Sequence, residues 1–280
     1  MLPLLLGEDA QAVVERVRRS TVEVRTRRAR ESGSGIIWDA AGTIVTNAHV
    51  ARMRDLRVTL ADGRRLDAQV VAHDPSRDLA ALKVDQQGLP AAEIGNSDAL
   101  RPGEFVVAVG SPLGEVGAAT AGVVRRRAVQ GPHGRRWVEA DVRLAPGNSG
   151  GPLADAMGRV VGVNTMIASG LALAVPSKAV TRFLSGARGP RLGVVVKPAV
   201  LVSGRGQAPA LVITDVAPES AAARAGLAHG DAIVAAGGQP LGAGYDLMGL
   251  LDEWNVAEPF PVELVRAGRR LRQDVRLSSG

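Results

Sequence analysis

A serine set among glycines is the most informative short motif of this sequence, Pro146-Gly-Asn-Ser149-Gly-Gly-Pro152. A serine hydroxyl becomes a nucleophile only when a base removes its proton, and acyl transfer also needs backbone N–H groups beside the developing oxyanion. Gly147 and Gly150 permit backbone conformations that are closed to other residues, so N–H groups can approach a substrate closely. The motif therefore predicts acyl-transfer chemistry with Ser149 as the nucleophile.

A base and an orienting carboxylate occur earlier in the chain. His49 follows an apolar run that is typical of a strand, and Asp78 opens another such run. Asp74, which precedes Pro75 in a predicted turn, is the alternative carboxylate. The order His, Asp, Ser is that of chymotrypsin-like enzymes and differs from the order in subtilisins and α/β-hydrolases. We therefore expect His49 to act as general base, Asp78 to orient it and Ser149 to attack.

Short β-rich runs separated by turns must position these residues. They extend from Thr21 to about Leu184 without long helical patterns, which predicts an antiparallel barrel or sandwich. Before them, residues 8–19 have the periodicity of an amphipathic helix, so 1–20 is predicted to be an N-terminal arm. Residues 186–190 have the composition of a linker. Residues 191–280 have the length of a small second domain, with strands and two helices, near 221–225 and 245–254.

Composition restricts the partners and cofactors. The 280 residues carry a formal charge of +6, nearly all of the basic residues are arginine, and only 2% of the residues are aromatic. Because the basic runs lack interleaved aromatics for base stacking, we predict a solvated basic surface and no nucleic-acid partner. A nucleic-acid-binding protein remains the alternative. With no cysteine and no metal-ligand motif, we expect no cofactor and no metal.

The start of the chain bears on the compartment. Met1 to Leu6 is apolar but leads directly into acidic residues, without the basic region and the longer apolar core of a signal peptide. No later stretch is long and apolar enough to span a bilayer. As it reads, the chain is expected in the cytoplasm, or outside it if an export segment precedes the given sequence.

Several segments together resemble the HtrA (Deg) family of trypsin-like serine proteases. They are 32–38, 42–50, 62–84, 95–114 and 146–153. The resemblance implies a mainly β protein, with a chymotrypsin-like double β-barrel over 21–185, and serine endopeptidase activity on unfolded or damaged proteins. Residue by residue, it implies that His49, Asp78 and Ser149 form the triad and that Gly147 and Ser149 supply the oxyanion N–H groups.

The resemblance also implies residues that contact the substrate. The segment 163–167 is similar to the family strand that pairs with an extended substrate, which assigns substrate binding to Thr165, Met166 and Ile167. Arg143 and Leu144 would lie near the base of the pocket for the P1 side chain. Arg143 departs from the small residue usual in the family, so one hypothesis is a preference for acidic P1 residues. The alternative is that Arg143 turns outward or pairs with Asp141.

The second half is similar to the PDZ domains that follow HtrA protease domains, on 191–194, 217–234 and 238–240. Such small α/β modules add a peptide as an extra strand and capture its C-terminal carboxylate on backbone N–H groups. Leu192, Gly193 and Val194 match that carboxylate-binding loop. The alternative is a domain that only packs on the protease.

Two broader expectations follow from the resemblance. The resemblance implies assembly through the N-terminal arm, so a homo-oligomer, specifically a homotrimer, is expected. A different class of function is a proteolytically silent, chaperone-like peptide-binding protein on the same scaffold. The intact Ser149, His49 and Asp78 argue against this alternative.

Overall fold

The structure is a computed structural model of the protein. It describes residues 2–26, 32–52, 55–75, 77–111, 117–130, 136–168, 170–186, 190–203, 206–241, 247–252, 254 and 256–277. The chain forms two compact units, one of Met1–Val129 with Trp137–Ser185 and the other of Gln130–Arg136 with Gly186–Gly280.

The first β-barrel of unit 1 is closed and antiparallel, with strand order β1-β2-β3-β6-β5-β4. Its strands are β1 (Thr21–Thr26), β2 (Ser32–Ile37), β3 (Thr43–Thr46), β4 (Leu56–Thr59), β5 (Arg65–Asp74) and β6 (Leu79–Val84). Valine, leucine and isoleucine fill the interior, including Val22, Ile44 and Leu82, all fully buried. Closure leaves no unpaired sheet edge, and the end of β3 lies beside the start of β6 at one rim.

The second barrel of unit 1 is also closed, with the order β10-β11-β12-β9-β8-β7. Its strands are β7 (Phe105–Gly110), β8 (Ala118–Gln130), β9 (Arg136–Asp141), β10 (Pro152–Asp155), β11 (Val160–Ala168) and β12 (Leu171–Pro176). Small and branched side chains such as Ala108, Leu153 and Ala174 form its core. The predicted pair of β-barrels is thereby confirmed.

Two helices pack on the barrels of unit 1. Helix α1 (Leu2–Arg19) begins six residues earlier than the sequence predicted and packs Val17 against Val107 and Val109 of β7. Helix α2 (Ser177–Leu184) closes the unit, as predicted from 178–184, and buries Val180 against the cluster that includes Ile36 and Trp137.

The described residues of unit 2 form one antiparallel sheet and two short helices. The sheet has the order β13-β14-β15-β17-β18, with β16 paired to β15. Its strands are β13 (Val194–Ser203), β14 (Gly206–Val216), β15 (Ala232–Ala236), β16 (Gln239–Pro240), β17 (Phe260–Arg266) and β18 (Arg269–Val275). Both predicted helices are present, as α3 (Ala221–Arg224) and α4 (Leu247–Asp252). Residues 245, 246 and 253 of the second prediction lie outside the described residues, and Trp254 follows the helix.

An ion pair between a buried carboxylate and a partly exposed guanidinium holds one turn of unit 2. Asp231 is almost completely buried and accepts hydrogen bonds from the guanidinium of Arg266 at 2.6 and 2.7 Å and from the N–H of Ala228 at 2.9 Å. Burial by itself would raise the pKa of Asp231, but these hydrogen bonds and the charge of Arg266 outweigh it and lower that pKa below its ordinary value.

Candidate active site

The rim of the first barrel brings His49 and Asp78 together. His49 lies in the turn after β3, and Asp78 directly precedes β6, the strand paired with β3. The Nδ1 of His49 lies 2.9 and 2.8 Å from the two carboxylate oxygens of Asp78. The backbone N–H of His49 also donates to Asp78 Oδ1 at 3.1 Å. These contacts fix the tautomer in which Nδ1 carries the proton and Nε2 can accept one.

Asp78 has a backbone conformation that is uncommon for a residue with a side chain. Its φ is +51°, in the left-handed region that aspartate tolerates better than most residues. The side-chain amide of Asn47 donates to the carbonyl oxygen of Asp78 at 2.9 Å, which holds this peptide in place. Asn47 is fully buried, so the bond is shielded from water.

Asn47 also connects the two barrels. Its Nδ2 donates to Thr165 Oγ1 at 2.9 Å, and Thr165 belongs to β11 of the second barrel. The backbone carbonyl of the same threonine accepts a hydrogen bond from Ser149 Oγ at 3.0 Å. The loops that carry His49 and Ser149 therefore meet at Thr165. Among the described residues, Ser149 Oγ forms no hydrogen bond with His49.

The loop around Ser149 leaves two backbone N–H groups free. The amides of Asn148, Gly150 and Gly151 donate to the carbonyls of Ala145, Asn164 and Asn148 at 3.0, 2.7 and 3.0 Å, respectively. The N–H groups of Gly147 and Ser149, by contrast, have no partner within the described part of the chain. Gly147 has φ +102°, which a side chain would strain. Two unpaired amides, one of the serine itself and one two residues before it, are the arrangement that an oxyanion needs.

Tight packing explains the glycines that follow the serine. A Cβ on Gly150 would lie 2.1 Å from the carbonyl oxygen of Ser34 and 2.3 Å from Thr46 Oγ1, and φ at Gly150 is +87°. A Cβ on Gly151 would lie 2.3 Å from the carbonyl oxygen of Val109. The serine loop can therefore pack against the first barrel at Gly150 and against β7 of the second barrel at Gly151 only because these positions lack side chains.

The rival carboxylate has another partner. Asp74 ends β5 and accepts hydrogen bonds from Arg77, one from its backbone N–H at 3.1 Å and one from Nη1 at 2.9 Å. His73 also lies in β5 and places Nε2 3.1 Å from the carbonyl oxygen of Ala48. Asp78, and not Asp74, is the carboxylate that contacts His49.

The residues expected to contact substrate differ in exposure. Thr165 is buried, Met166 is half-buried against the cluster that contains Trp137, and Ile167 is 54% exposed. Leu144 packs against the core of the second barrel. The side chain of Arg143 is exposed, and among the described residues it forms no ion pair with Asp141 or any other carboxylate. Of the two arrangements in the alternative hypothesis, an outward-turned Arg143 agrees with this exposure, whereas the pair with Asp141 is not formed among the described residues.

The predicted carboxylate-binding loop of unit 2 has its carbonyls occupied. The carbonyls of Leu192 and Gly193 accept hydrogen bonds from the N–H groups of Ala222 and Ala217, both at 2.8 Å. Within the described residues, the N–H groups of Leu192 and Gly193 have no partner. Leu192 is buried, Gly193 has φ +78°, and Val194 begins the edge strand β13.

Sequence reasoning missed three residues that build the site, Ser34, Thr46 and Asn47. Each is fully buried and polar, and each forms hydrogen bonds near the serine or the carboxylate. Their only sequence signal is a polar residue within an otherwise apolar strand run. That signal indicates burial with a partner but does not identify the partner.

Comparisons with known proteins agree with this geometry. A family model described as a trypsin-like peptidase domain matches residues 33–163. The chain is 37% identical over 277 residues to the "Putative serine protease HhoB" of Synechocystis sp., covering 89% of this chain and 67% of that protein. The chain belongs to the HtrA family of serine proteases.

Other members of the HtrA family extend this result. A "Probable periplasmic serine endoprotease DegP-like" of Pseudomonas putida is 33% identical over 99% of this chain and 62% of its own length. The solved structure "HtrA-type protease AlgW with decapeptide" matches with a TM-score of 0.68 and 27% identity, covering 96% of this chain and 98% of that chain. This HtrA-family chain is therefore a serine endopeptidase.

Two features are absent from the described residues. No helix there is both long and apolar enough to cross a membrane. The same residues contain no group of three or more histidine, aspartate or glutamate side chains placed to hold a metal ion.

Proposed function

We propose that peptide bonds are cleaved by Ser149, His49 and Asp78 acting as a catalytic triad. His49 Nε2 accepts the proton of Ser149 Oγ while Oγ bonds to the scissile carbonyl carbon, and the carbonyl π electrons move to oxygen. Collapse of this tetrahedral intermediate breaks the C–N bond, and His49 passes its proton to the leaving amine. Water then hydrolyses the acyl-enzyme by the same steps, with His49 again as base and then acid.

The observation that carries this proposal is the contact of His49 Nδ1 with both carboxylate oxygens of Asp78, at 2.8 and 2.9 Å. It stabilises the imidazolium that forms when Ser149 loses its proton. We propose that the unpaired N–H groups of Gly147 and Ser149 receive the oxyanion. Each such donor is worth roughly 100- to 1,000-fold in kcat in related chemistry.

Labelling with a fluorophosphonate probe tests this proposal. We expect one modification per chain, mapped to Ser149 by mass spectrometry, and none in Ser149→Ala. Casein hydrolysis should disappear in the same variant while its thermal unfolding stays unchanged. An unreactive wild-type protein that still binds casein would instead favour the silent peptide-binding alternative.

We further propose that the substrates are unfolded or damaged proteins. The HtrA relationship supports this class, and an extended chain could lie beside Thr165, Met166 and Ile167 at the end of β11. Arg143 and Leu144 are proposed to border the P1 pocket. Cleavage of a destabilised variant of a model protein, with the folded parent protein left intact, is the expected result.

The second unit is proposed to be a PDZ domain that captures C-terminal peptides. We place its boundaries at 191–280, after a protease domain over 21–185 and a linker over 186–190. The free N–H groups of Leu192 and Gly193, followed by the edge strand that Val194 begins, support this assignment. Binding of a labelled peptide should weaken at least about tenfold when its terminal carboxylate is amidated, because the charge-assisted hydrogen bonds between the loop N–H groups and the peptide carboxylate are lost.

Assembly and compartment are also proposed from the family. We propose a homotrimer, for which light scattering should give close to three times the 29.0 kDa of one chain. Because a DegP-like relative is named periplasmic, an extracytoplasmic location is proposed. Fractionation of cells that produce the protein from its native gene tests this location.

A further inference from the structure

A serine on β2 joins the first barrel to the loop that carries the nucleophile. Ser34 is fully buried, and its hydroxyl donates to the carbonyl of Gly147 at 2.6 Å while accepting from the N–H of Ser111 at 2.8 Å. Its backbone N–H donates to the carbonyl of Ser149 at 2.8 Å. One residue therefore holds the carbonyl groups of both residues whose N–H groups are free.

The two hydrogen bonds from Ser34 restrict the orientation of the free N–H groups of Gly147 and Ser149, because they hold the peptide group that follows each of these residues. The peptide between Gly147 and Asn148 is held at its oxygen by Ser34 Oγ and at its nitrogen by the carbonyl of Ala145. The peptide between Ser149 and Gly150 is held at its oxygen by the N–H of Ser34 and at its nitrogen by the carbonyl of Asn164. With these peptides anchored, the N–H groups of Gly147 and Ser149 have little freedom to turn away.

Residues of both barrels in turn hold Ser34 in place. Thr46 Oγ1 donates to the carbonyl of Ser34 at 2.6 Å, and Ser111 lies at the end of β7 in the second barrel. Ser34 therefore contacts β3, β7 and the serine loop at once. Preorganised donors cost no reorganisation when charge develops, so a group that fixes their direction affects the transition state more than substrate binding.

We propose that the Ser34 hydroxyl is a positioning residue for the oxyanion hole, acting through the carbonyl of Gly147. This inference rests on the proposed function of Gly147 and Ser149. Removal of the hydroxyl leaves the Gly147 carbonyl without its donor, so the loop can adopt conformations in which the two N–H groups diverge.

The test compares Ser34→Ala with Ser177→Ala in the full-length protein. Ser177 is a matched control, because it is also buried and its hydroxyl donates to a backbone carbonyl, that of Gly95, at 2.7 Å. For an amide substrate with P1 valine, we expect Ser34→Ala to lower kcat about tenfold or more with KM within about twofold. Ser177→Ala should lose thermal stability but keep its kcat.

A peptide boronic acid separates positioning from general destabilisation, because its serine adduct places an oxygen in the oxyanion hole. Its affinity should fall in Ser34→Ala by the same factor as kcat/KM, whereas the affinity for the acid product of the same peptide stays constant. An unchanged boronate affinity, or equal kcat losses in Ser34→Ala and Ser177→Ala, would overturn the proposal.

Two further outcomes are distinguishable. If Ser34→Ala does not fold, Ser34→Cys replaces it, because the cysteine side chain has a similar shape and its thiol is a weaker donor. A wild-type kcat in Ser34→Cys overturns the positioning role. A reduced kcat with an unchanged KM supports it. A wild-type protein that resists the fluorophosphonate probe defeats the proposed function itself. A reactive wild type with a fully active Ser34→Ala defeats only the role of Ser34.

Discussion

The side-chain amide of Asn47 donates to Thr165 Oγ1 across 2.9 Å, and this bond links the loop of His49 in one barrel to the strand beside Ser149 in the other. The same amide donates to the backbone carbonyl of Asp78 at 2.9 Å. A single buried amide therefore sets the relative position of the three residues proposed to form the triad.

A double-mutant cycle measures this link. Asn47→Ala should lower the free energy of unfolding by about 2 kcal/mol, because two hydrogen bonds are lost in a buried site. Thr165→Val keeps the shape and should cost about 1 kcal/mol. Since both variants remove the shared bond, the double variant should be less destabilised than their sum, by about 1 kcal/mol in denaturant unfolding. Additive effects would contradict a direct coupling.

Asp78→Asn should lower kcat by about 10,000-fold while the protein stays folded. The asparagine oxygen would still accept from the backbone N–H of His49, which turns the side-chain NH₂ towards Nδ1. Nδ1 then becomes the acceptor and Nε2 carries the proton, so His49 can no longer accept the proton of Ser149. Single-turnover kinetics measure the loss, and Asp74→Asn is the control that should retain activity.

Gly150→Ala should destabilise the protein by about 3 kcal/mol or more, against about 1 kcal/mol for Gly63→Ala. Both glycines have φ +87°, so both variants carry the same backbone strain. Only the Cβ at 150 would meet other atoms, whereas a Cβ at 63 has nothing within 4 Å. Thermal unfolding of both variants tests this difference, and equal losses would show that contact with Ser34 is unimportant.

Arg143 should affect P1 preference only weakly. Its side chain is exposed, and exposed ion pairs are worth at most about 1 kcal/mol, which is roughly a fivefold effect. We therefore expect at most about a fivefold gain for P1 glutamate over the Arg143→Ala variant, and no such gain in high salt. Peptides that differ only in P1 valine, leucine or glutamate provide the measurement. A gain of a hundredfold would place the guanidinium inside the pocket.

Asp231→Asn should destabilise unit 2 at neutral pH by about 2 kcal/mol and have little effect in acid. The folded state lowers the pKa of Asp231 below its ordinary 3.8, so the unfolded chain takes up the proton first as the pH falls. The stabilisation is complete well above pH 3.8 and is lost as the pH falls through the lower pKa of the folded state. Hydrogen exchange of residues 226–231, compared between the two proteins at neutral pH and in acid, checks this pH dependence.

The sequence alone was sufficient to predict the fold class and the chemistry. The alternation of short apolar runs predicts an antiparallel barrel or sandwich, because strand periodicity depends on neighbouring residues, and the resemblance to the HtrA family selects the double barrel. Ser149 and its glycines form a local motif, since the backbone freedom that the chemistry needs is encoded in consecutive positions. His49 and Asp78 could be proposed from their places at the ends of strand-like runs, although Asp74 remained an alternative.

Only the tertiary structure decided which carboxylate contacts His49 and which residues hold the serine loop. Ser34 and Gly147 are 113 positions apart in the chain, and Asn47 and Thr165 are 118 apart. Hydrogen bonds over such separations exist only after two closed barrels pack together, and the types of the residues do not specify their partners. The exposure of Arg143 was likewise undetermined by sequence, because a long flexible side chain can point either way from one backbone position.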